Sequence, residues 1–284
     1  MEKQGCEVIH SPTNSSNFKG VGFNLRLEFI DEVLAKRPQV DVLEIITDNW
    51  FSMGPHHEKL AKLRENYEIS FHCVGMNVGG EDPLDLNYLK KVKELDKEFR
   101  SIHISDHLCF QANGGHHHHD LLPISYTKKN LDRIVDRVNE IQDCLQKNLV
   151  LENLSYYVEF ESSEMSENSF ITELCEKTGC FRLLDLNNIW VNSQNFKRDF
   201  AKEIGTVDWK QIKEIHMAGP SQSDGFYIDT HSSDIHSDCL SVLLERKNEL
   251  TDAIVIYEKD LEFNGFEDHL KQIQRVIELE DVFV

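Results

Sequence analysis

The chain has 284 residues, with 30 Lys+Arg against 50 Asp+Glu, a formal charge of −20, 40% hydrophobic residues and 28% charged ones. This is the balance of a soluble globular protein, long enough for a single large domain over 1–284, and the acidic excess repels phosphate backbones and anionic lipid, so neither nucleic acid nor membrane is an expected partner. No run of about 18 apolar residues occurs, and the polar opening from Met1 to Ser16 lacks a signal-peptide core, so the cytoplasm is the expected compartment.

In chain order, short β-branched or apolar runs alternate with longer stretches of helical periodicity. Strands are expected over 20–25, 40–47, 68–75, 101–107, 149–154, 181–188, 212–219 and 253–260. Amphipathic helices are expected over 85–100, 127–146, 165–178 and 236–250, with another over 266–279 after the last strand. Eight strands, each followed by a helix-sized segment, predict a (β/α)8 TIM barrel in the α/β class, ahead of a doubly wound open sheet. Two connections, 108–126 and 220–235, are unusually long. Both follow strand C-terminal ends, the catalytic face of such a barrel.

Seven cysteines (Cys6, Cys73, Cys109, Cys144, Cys175, Cys180, Cys239) are scattered without a Cys-x-x-Cys pair and read as reduced, mostly buried thiols. A metal here would have to use His, Asp and Glu, and those residues fall in a pattern. His72 lies in the third strand, His107 ends the fourth, Glu152 the fifth, Asp185 and Asn188 the sixth and His216 the seventh; Asp229 and His231 sit in the loop that follows, and Glu258 ends the eighth. A parallel barrel brings all these ends to one mouth. Buried carboxylates and imidazoles in that number need counter-charge, which two or three cations would supply, with carboxylates bridging them. Nitrogen and oxygen donors without thiolate suit iron, manganese or zinc.

Other histidines read differently. His103 is expected to pack in the core below His107. The run His116 to His119 is either a solvated loop or a lid over the mouth. His56, His57 and Glu58 open a helix after the second strand, with His56 a candidate substrate contact.

The runs VDVLEIITDNWF, FHCVGMNVGG, SDHLCF, HDLLPISYT, LENLSYY, TGCFRLLDLNNIWVN, IHMAG and DTHS, covering nearly the whole chain, resemble the multinuclear non-heme iron-dependent oxidative enzymes that include the methanobactin-forming oxidase. The resemblance implies a TIM barrel related to endonuclease IV and xylose isomerase, and two or three irons of mixed Fe(II)/Fe(III) state at its mouth. It also implies O2-dependent oxidation of a precursor peptide, usually at cysteine, and a small partner protein that captures the leader peptide to form a heterodimer. By the same resemblance His72, His107, Glu152, Asp185, Asn188, His216, Asp229, His231 and Glu258 are the metal ligands; beside them Asn49, His56, Asp106 and Asn153 are candidates for substrate binding. Asp48-Asn49-Trp50, Cys73 after His72, and Cys109-Phe110 depart from the family's common pattern beside the ligands. The TDNWF and SDHLCF versions resemble the subgroup that removes the β-carbon of a C-terminal cysteine on the way to 3-thiaglutamate.

Three other readings compete. A zinc phosphodiesterase of the endonuclease IV type uses similar ligands, but a DNA enzyme should carry a basic footprint. A manganese or magnesium sugar isomerase shares the barrel and needs no O2. A metal-storage module would not need a large open mouth.

Overall fold

The computed structural model describes residues 18–52, 54–262 and 265–281; Cys6 and the polar opening lie outside them. Eight parallel strands close into a TIM barrel: β1 (Gly20–Asn24), β2 (Val42–Ile46), β3 (Glu68–His72), β4 (Ile104–His107), β5 (Val150–Glu152), β6 (Phe181–Asp185), β7 (Ile212–Met217) and β8 (Ile254–Tyr257). The ring closes where β1 pairs with β8, in the register Gly20↔Ile254 to Phe23↔Tyr257. Around it run α1 (Ile30–Lys36), α2 (His57–Arg64), α3 (Leu86–Phe99), α4 (Lys128–Leu145), α5 (Glu167–Thr178), α6 (Leu186–Asn195), α7 (Phe200–Gly205), α8 (Ser237–Arg246) and α9 (Phe266–Asp281). None of the helices among the described residues is long and apolar enough to cross a membrane.

Local chemistry sets the helix limits. In α4 the Thr127 hydroxyl accepts from the Asn130 N–H at the start, and Gln146 ends the helix at φ 60°. Its apolar residues Leu131, Ile134, Val138, Ile141 and Leu145 recur every three or four positions and are buried, as a core-facing stripe requires. They join the main core between barrel and helices. Burying each such side chain contributes roughly 1.5–3 kcal/mol. At Gly22 a Cβ would meet the Val42 carbonyl oxygen at 1.9 Å, so a side chain there would push β1 from β2.

Inside the barrel polarity rises along the strands. Val42, Ile254 and Ile256 form a separate apolar cluster. Two residues further along the same faces come Glu44 and Glu258, because strand side chains alternate, and both carboxylates contact the buried His216. The apolar plug therefore lies beneath a layer of carboxylate and imidazole.

The two long connections contain antiparallel hairpins, Phe110–Asn113 with His116–Leu122 and Ser221–Ser223 with Phe226–Ile228. The expected sixth strand ends at Asp185 rather than 188: the Asp185 carboxylate accepts from the Asn188 N–H at 2.6 Å and starts α6. Asn188 thus occupies a helical turn. The six described cysteines are free thiols, all buried except the half-buried Cys144.

Candidate metal centre

Strand ends deliver the donor atoms, and Glu152 is their hub. Its Oε2 lies 3.4 Å from His72 Nε2 and 3.2 Å from His107 Nε2. Its Oε1 lies 3.7 Å from His216 Nδ1 and 3.5 Å from Asn188 Nδ2. A second group, Glu152, Asp185, His216 and Glu258, can bring one donor atom each within 4.8 Å of all the others, as can His72, His107 and Glu152. His216 Nδ1 stands 2.9 Å from Glu258 Oε2. A third group forms around His231, whose Nε2 is 2.8 Å from Asp229 Oδ1 and 3.7 Å from Asp185 Oδ2, and whose Nδ1 is 3.1 Å from Glu258 Oε2. All nine residues expected as ligands are therefore linked in one continuous cluster.

Three acidic residues at the cluster escaped the sequence reading. Glu44 stands 2.9 Å from His216 Nε2 and can also join His72 and His216 as a donor group. Glu214, two residues before His216, is fully buried and accepts from the Ser70 hydroxyl at 3.1 Å. Asp260 reaches His231 Nδ1 at 3.4 Å with one oxygen and pairs with Arg26 through the other. Glu44 had a legible signal, a lone carboxylate in the apolar run VLEII. Glu214 shares the strand parity of His216.

Outer contacts orient the donors, as second partners of metal-binding histidines do. His72 Nδ1 shares a 2.8 Å hydrogen bond with the Ser105 hydroxyl. Asp106 is fully buried; it accepts from the Met76 and His107 N–H groups and lies 3.6 Å from His107 Nδ1. Asn153 is also fully buried, donating to the Asp185 carbonyl at 3.0 Å and accepting from the Asp185 N–H at 3.2 Å. Both thus stand behind the ligands. Asn49 is exposed on the turn after β2, and His56 is half-buried just before α2. His103 sits buried just before β4, its pKa lowered to about 4 by burial and by Lys19, Lys147 and Lys213.

The charge state of the cluster fits a cation. Burial raises the pKa of Glu152 to about 7, helped by Glu258 against the pull of His107 and His216. Burial pushes Asp185 well above the usual carboxylate range. For His107 burial acts downward, yet Glu152 and Asp106 outweigh it and raise the pKa to about 9. His216 and His231 are likewise raised, because neighbouring carboxylates overcome the burial that opposes them. His72 runs the other way, lowered by burial and by the His107 and His216 rings, and for Glu258 burial acts upward yet His231 and His216 hold it low, so the protons are unevenly shared across the cluster. Glu152 Oε2, Asp185 Oδ2, Asn188 Oδ1, His216 Nδ1 and both ring nitrogens of His231 are buried without an aligned hydrogen bond. Buried polar atoms left so cost free energy, and divalent cations would satisfy them with mixed nitrogen and oxygen ligation.

The model of the RiPP precursor modification enzymes MbnB/TglH/ChrH matches residues 20–281. A UPF0276 protein of Psychromonas ingrahamii is 34% identical over 267 residues, covering 89% of this chain and 93% of its own. One from Caulobacter vibrioides is 33% identical over 262 residues, with coverages of 90% and 92%. Among solved structures, endonuclease IV from Thermus thermophilus superposes with a TM-score of 0.60 at 12% identity, covering 92% of this chain and 99% of that one. An L-ribulose 3-epimerase gives 0.58 at 13%, with coverages of 92% and 91%. These likenesses carry the barrel fold.

Proposed function

We propose, from the premise that the chain belongs to the MbnB/TglH/ChrH family of RiPP precursor modification enzymes, that it oxidises a cysteine of a ribosomally made precursor peptide using iron and O2. The observation that carries this reading is Glu152, whose two oxygens face separate donor groups in one buried cluster. A carboxylate so placed suits neighbouring cations, and multinuclear iron there would supply the redox chemistry that side chains lack.

In this reading His72, His107 and Glu152 hold one ion. Glu152, Asp185, His216 and Glu258 would hold a second, with Asn188 beside Glu152, and Asp229, His231 and Glu258 would hold a third. Ser105, Asp106, Glu44 and Asn153 keep those donors in their orientations. Asp229 is itself fixed by Ser155 at 2.9 Å and Asn187 at 2.6 Å. The apolar plug closes the barrel beneath the cluster, so the peptide enters from the mouth, with its cysteine side chain leading. The TDNWF and SDHLCF segments favour β-carbon removal from a C-terminal cysteine, as in 3-thiaglutamate formation. A small partner protein would capture the leader, since a disordered peptide loses entropy on binding and one cysteine gives it little affinity.

The test uses protein reconstituted anaerobically with ferrous iron and a Cys-containing precursor peptide encoded beside its gene. Mass change of the peptide on admitting O2 is the expected result. The same product formed without O2, or from a zinc-loaded sample, overturns the reading.

A further inference from the structure

Outside the buried cluster, the chain carries a second concentration of metal-binding side chains. His116, His117, His118 and His119 are consecutive, exposed, and lie on the return strand of the hairpin that follows β4, the strand ending in His107. We propose that this tract is a separate, exchangeable divalent-metal site on the rim of the barrel mouth, capturing ions for delivery to the buried centre.

The hairpin is built to hold the tract in place. Gly114 and Gly115 turn the chain at φ 60° and 77°, the positive values that a tight two-residue hairpin turn requires. The Asp82 carboxylate accepts from both of their N–H groups, at 2.8 and 3.0 Å. Gln111, on the outgoing strand, is fastened by its N–H to Asn77 Oδ1 at 2.8 Å and by its side chain to the Val74 carbonyl. The segment between β3 and α3 thereby anchors the hairpin on the side of the mouth where His72 and His107 emerge.

The strand register spreads the imidazoles. Asn113 pairs with His116 and Ala112 with His117, but Phe110 next pairs with Leu122. Gln111 therefore faces four residues, 118–121, and the return strand bulges outward there. His119 adopts φ 55° within this bulge, and the His118 ring packs edge-on against Phe110 at 5.8 Å between centroids. Among the described residues the rings of His116, His117 and His119 are exposed, and His118 alone of the four packs on an aromatic ring. Among the described residues no three donor atoms of the tract already converge, so an ion would have to gather imidazoles and lose some of their rotamer freedom. That predicts weak, reversible capture, in contrast to the prebuilt buried cluster. Neutral imidazole suits Fe2+, Co2+, Ni2+, Cu2+ and Zn2+, with no selectivity beyond the general order of these ions.

The delivery role rests on the reading of the mouth as a metal centre; the capture site does not. The test compares wild-type protein with a variant carrying His116→Asn, His117→Asn, His118→Asn and His119→Asn, all at exposed positions, with unchanged circular dichroism as the folding control. Ni2+ titration of protein whose buried centre is already filled should show one further equivalent in the wild type and none in the variant. Equal stoichiometry in the two overturns the site. Loading of metal-free protein from dilute Co2+, followed by its visible absorption, should be several-fold slower in the variant but reach the same end point. Equal rates overturn delivery. Failure of the variant to load Co2+ at all, with the wild type still taking one equivalent of Ni2+ that the variant does not, overturns the buried metal centre and leaves the rim site standing.

Discussion

Glu152 and Glu44 both touch His216, but from opposite sides of its ring, and that difference decides what their loss should do. Glu152→Gln keeps the shape and removes the charge shared between two donor groups, so we expect loss of metal and of activity together, read by metal analysis and peptide mass spectrometry. Glu44→Gln removes the carboxylate that contacts the His216 ring from the Nε2 side and keeps the shape of the side chain. Loss of such an outer partner typically weakens metal affinity roughly 10- to 100-fold, which a chelator competition would measure. Six of the cluster's residues, His72, His107, Glu152, Asp185, His216 and Glu258, were legible because ionisable side chains at strand ends stand out against apolar strands, and Asn188, Asp229 and His231 because they follow those ends closely in sequence. Glu214 was not, since a carboxylate in the lysine- and glutamate-bearing run WKQIKEIH reads as surface charge until the closed barrel turns it inward. Asp106 and Asn153 show the reverse limit: their neighbourhood could be read, but not that their polar groups are spent holding His107 and Asp185.

At the level of elements, all eight barrel strands and the long amphipathic helices could be read, because alternation and three-to-four spacing both survive folding. The hairpins were hidden. A strand of four histidines and an aspartate has no β-branched face, and its only local signal is Gly114-Gly115. Helix α6 was hidden for another reason: every residue from Leu186 to Ser193 is buried, the polar Asn187, Asn188, Asn192 and Ser193 included, so no exposed polar face sets its period. Where an element is amphipathic and capped, its stability should respond to the cap. Thr127→Ala removes the acceptor for the Asn130 N–H and is expected to cost about 1 kcal/mol, measured by urea unfolding, without changing metal content.

For the molecule as a whole, two histidines away from the cluster tie stability to pH. His269 packs among Phe23, Phe29 and Tyr257, and burial, with Lys259 and Arg26, lowers its pKa to about 3; His103 is lowered to about 4. Each is neutral in the folded protein while the unfolded chain takes up a proton below its ordinary value of 6.5. Their contribution is therefore complete above that pH and is lost as pH falls toward the folded values. Between pH 6.5 and about 5 each site should cost up to about 2 kcal/mol. His269→Leu should flatten that acid limb in urea unfolding at the two pH values; an unchanged pH dependence would contradict it. The net charge of −20 acts at the same scale. If the leader or partner is basic, raising salt from about 0.05 M to about 0.5 M should weaken the complex by screening, measured by calorimetry.

Closure of the barrel between β1 and β8 has a consequence in time. Glu258 follows directly on β8, which pairs on one side with β7 and on the other with β1, synthesised about 230 residues earlier. During translation the ribosome releases the His72, His107 and Glu152 donors long before the strand that seals the ring. The early donors can meet an ion, but the complete cluster exists only once β8 has docked against β1. Completion of the donor cluster is therefore coupled to the most sequence-distant strand pairing of the barrel.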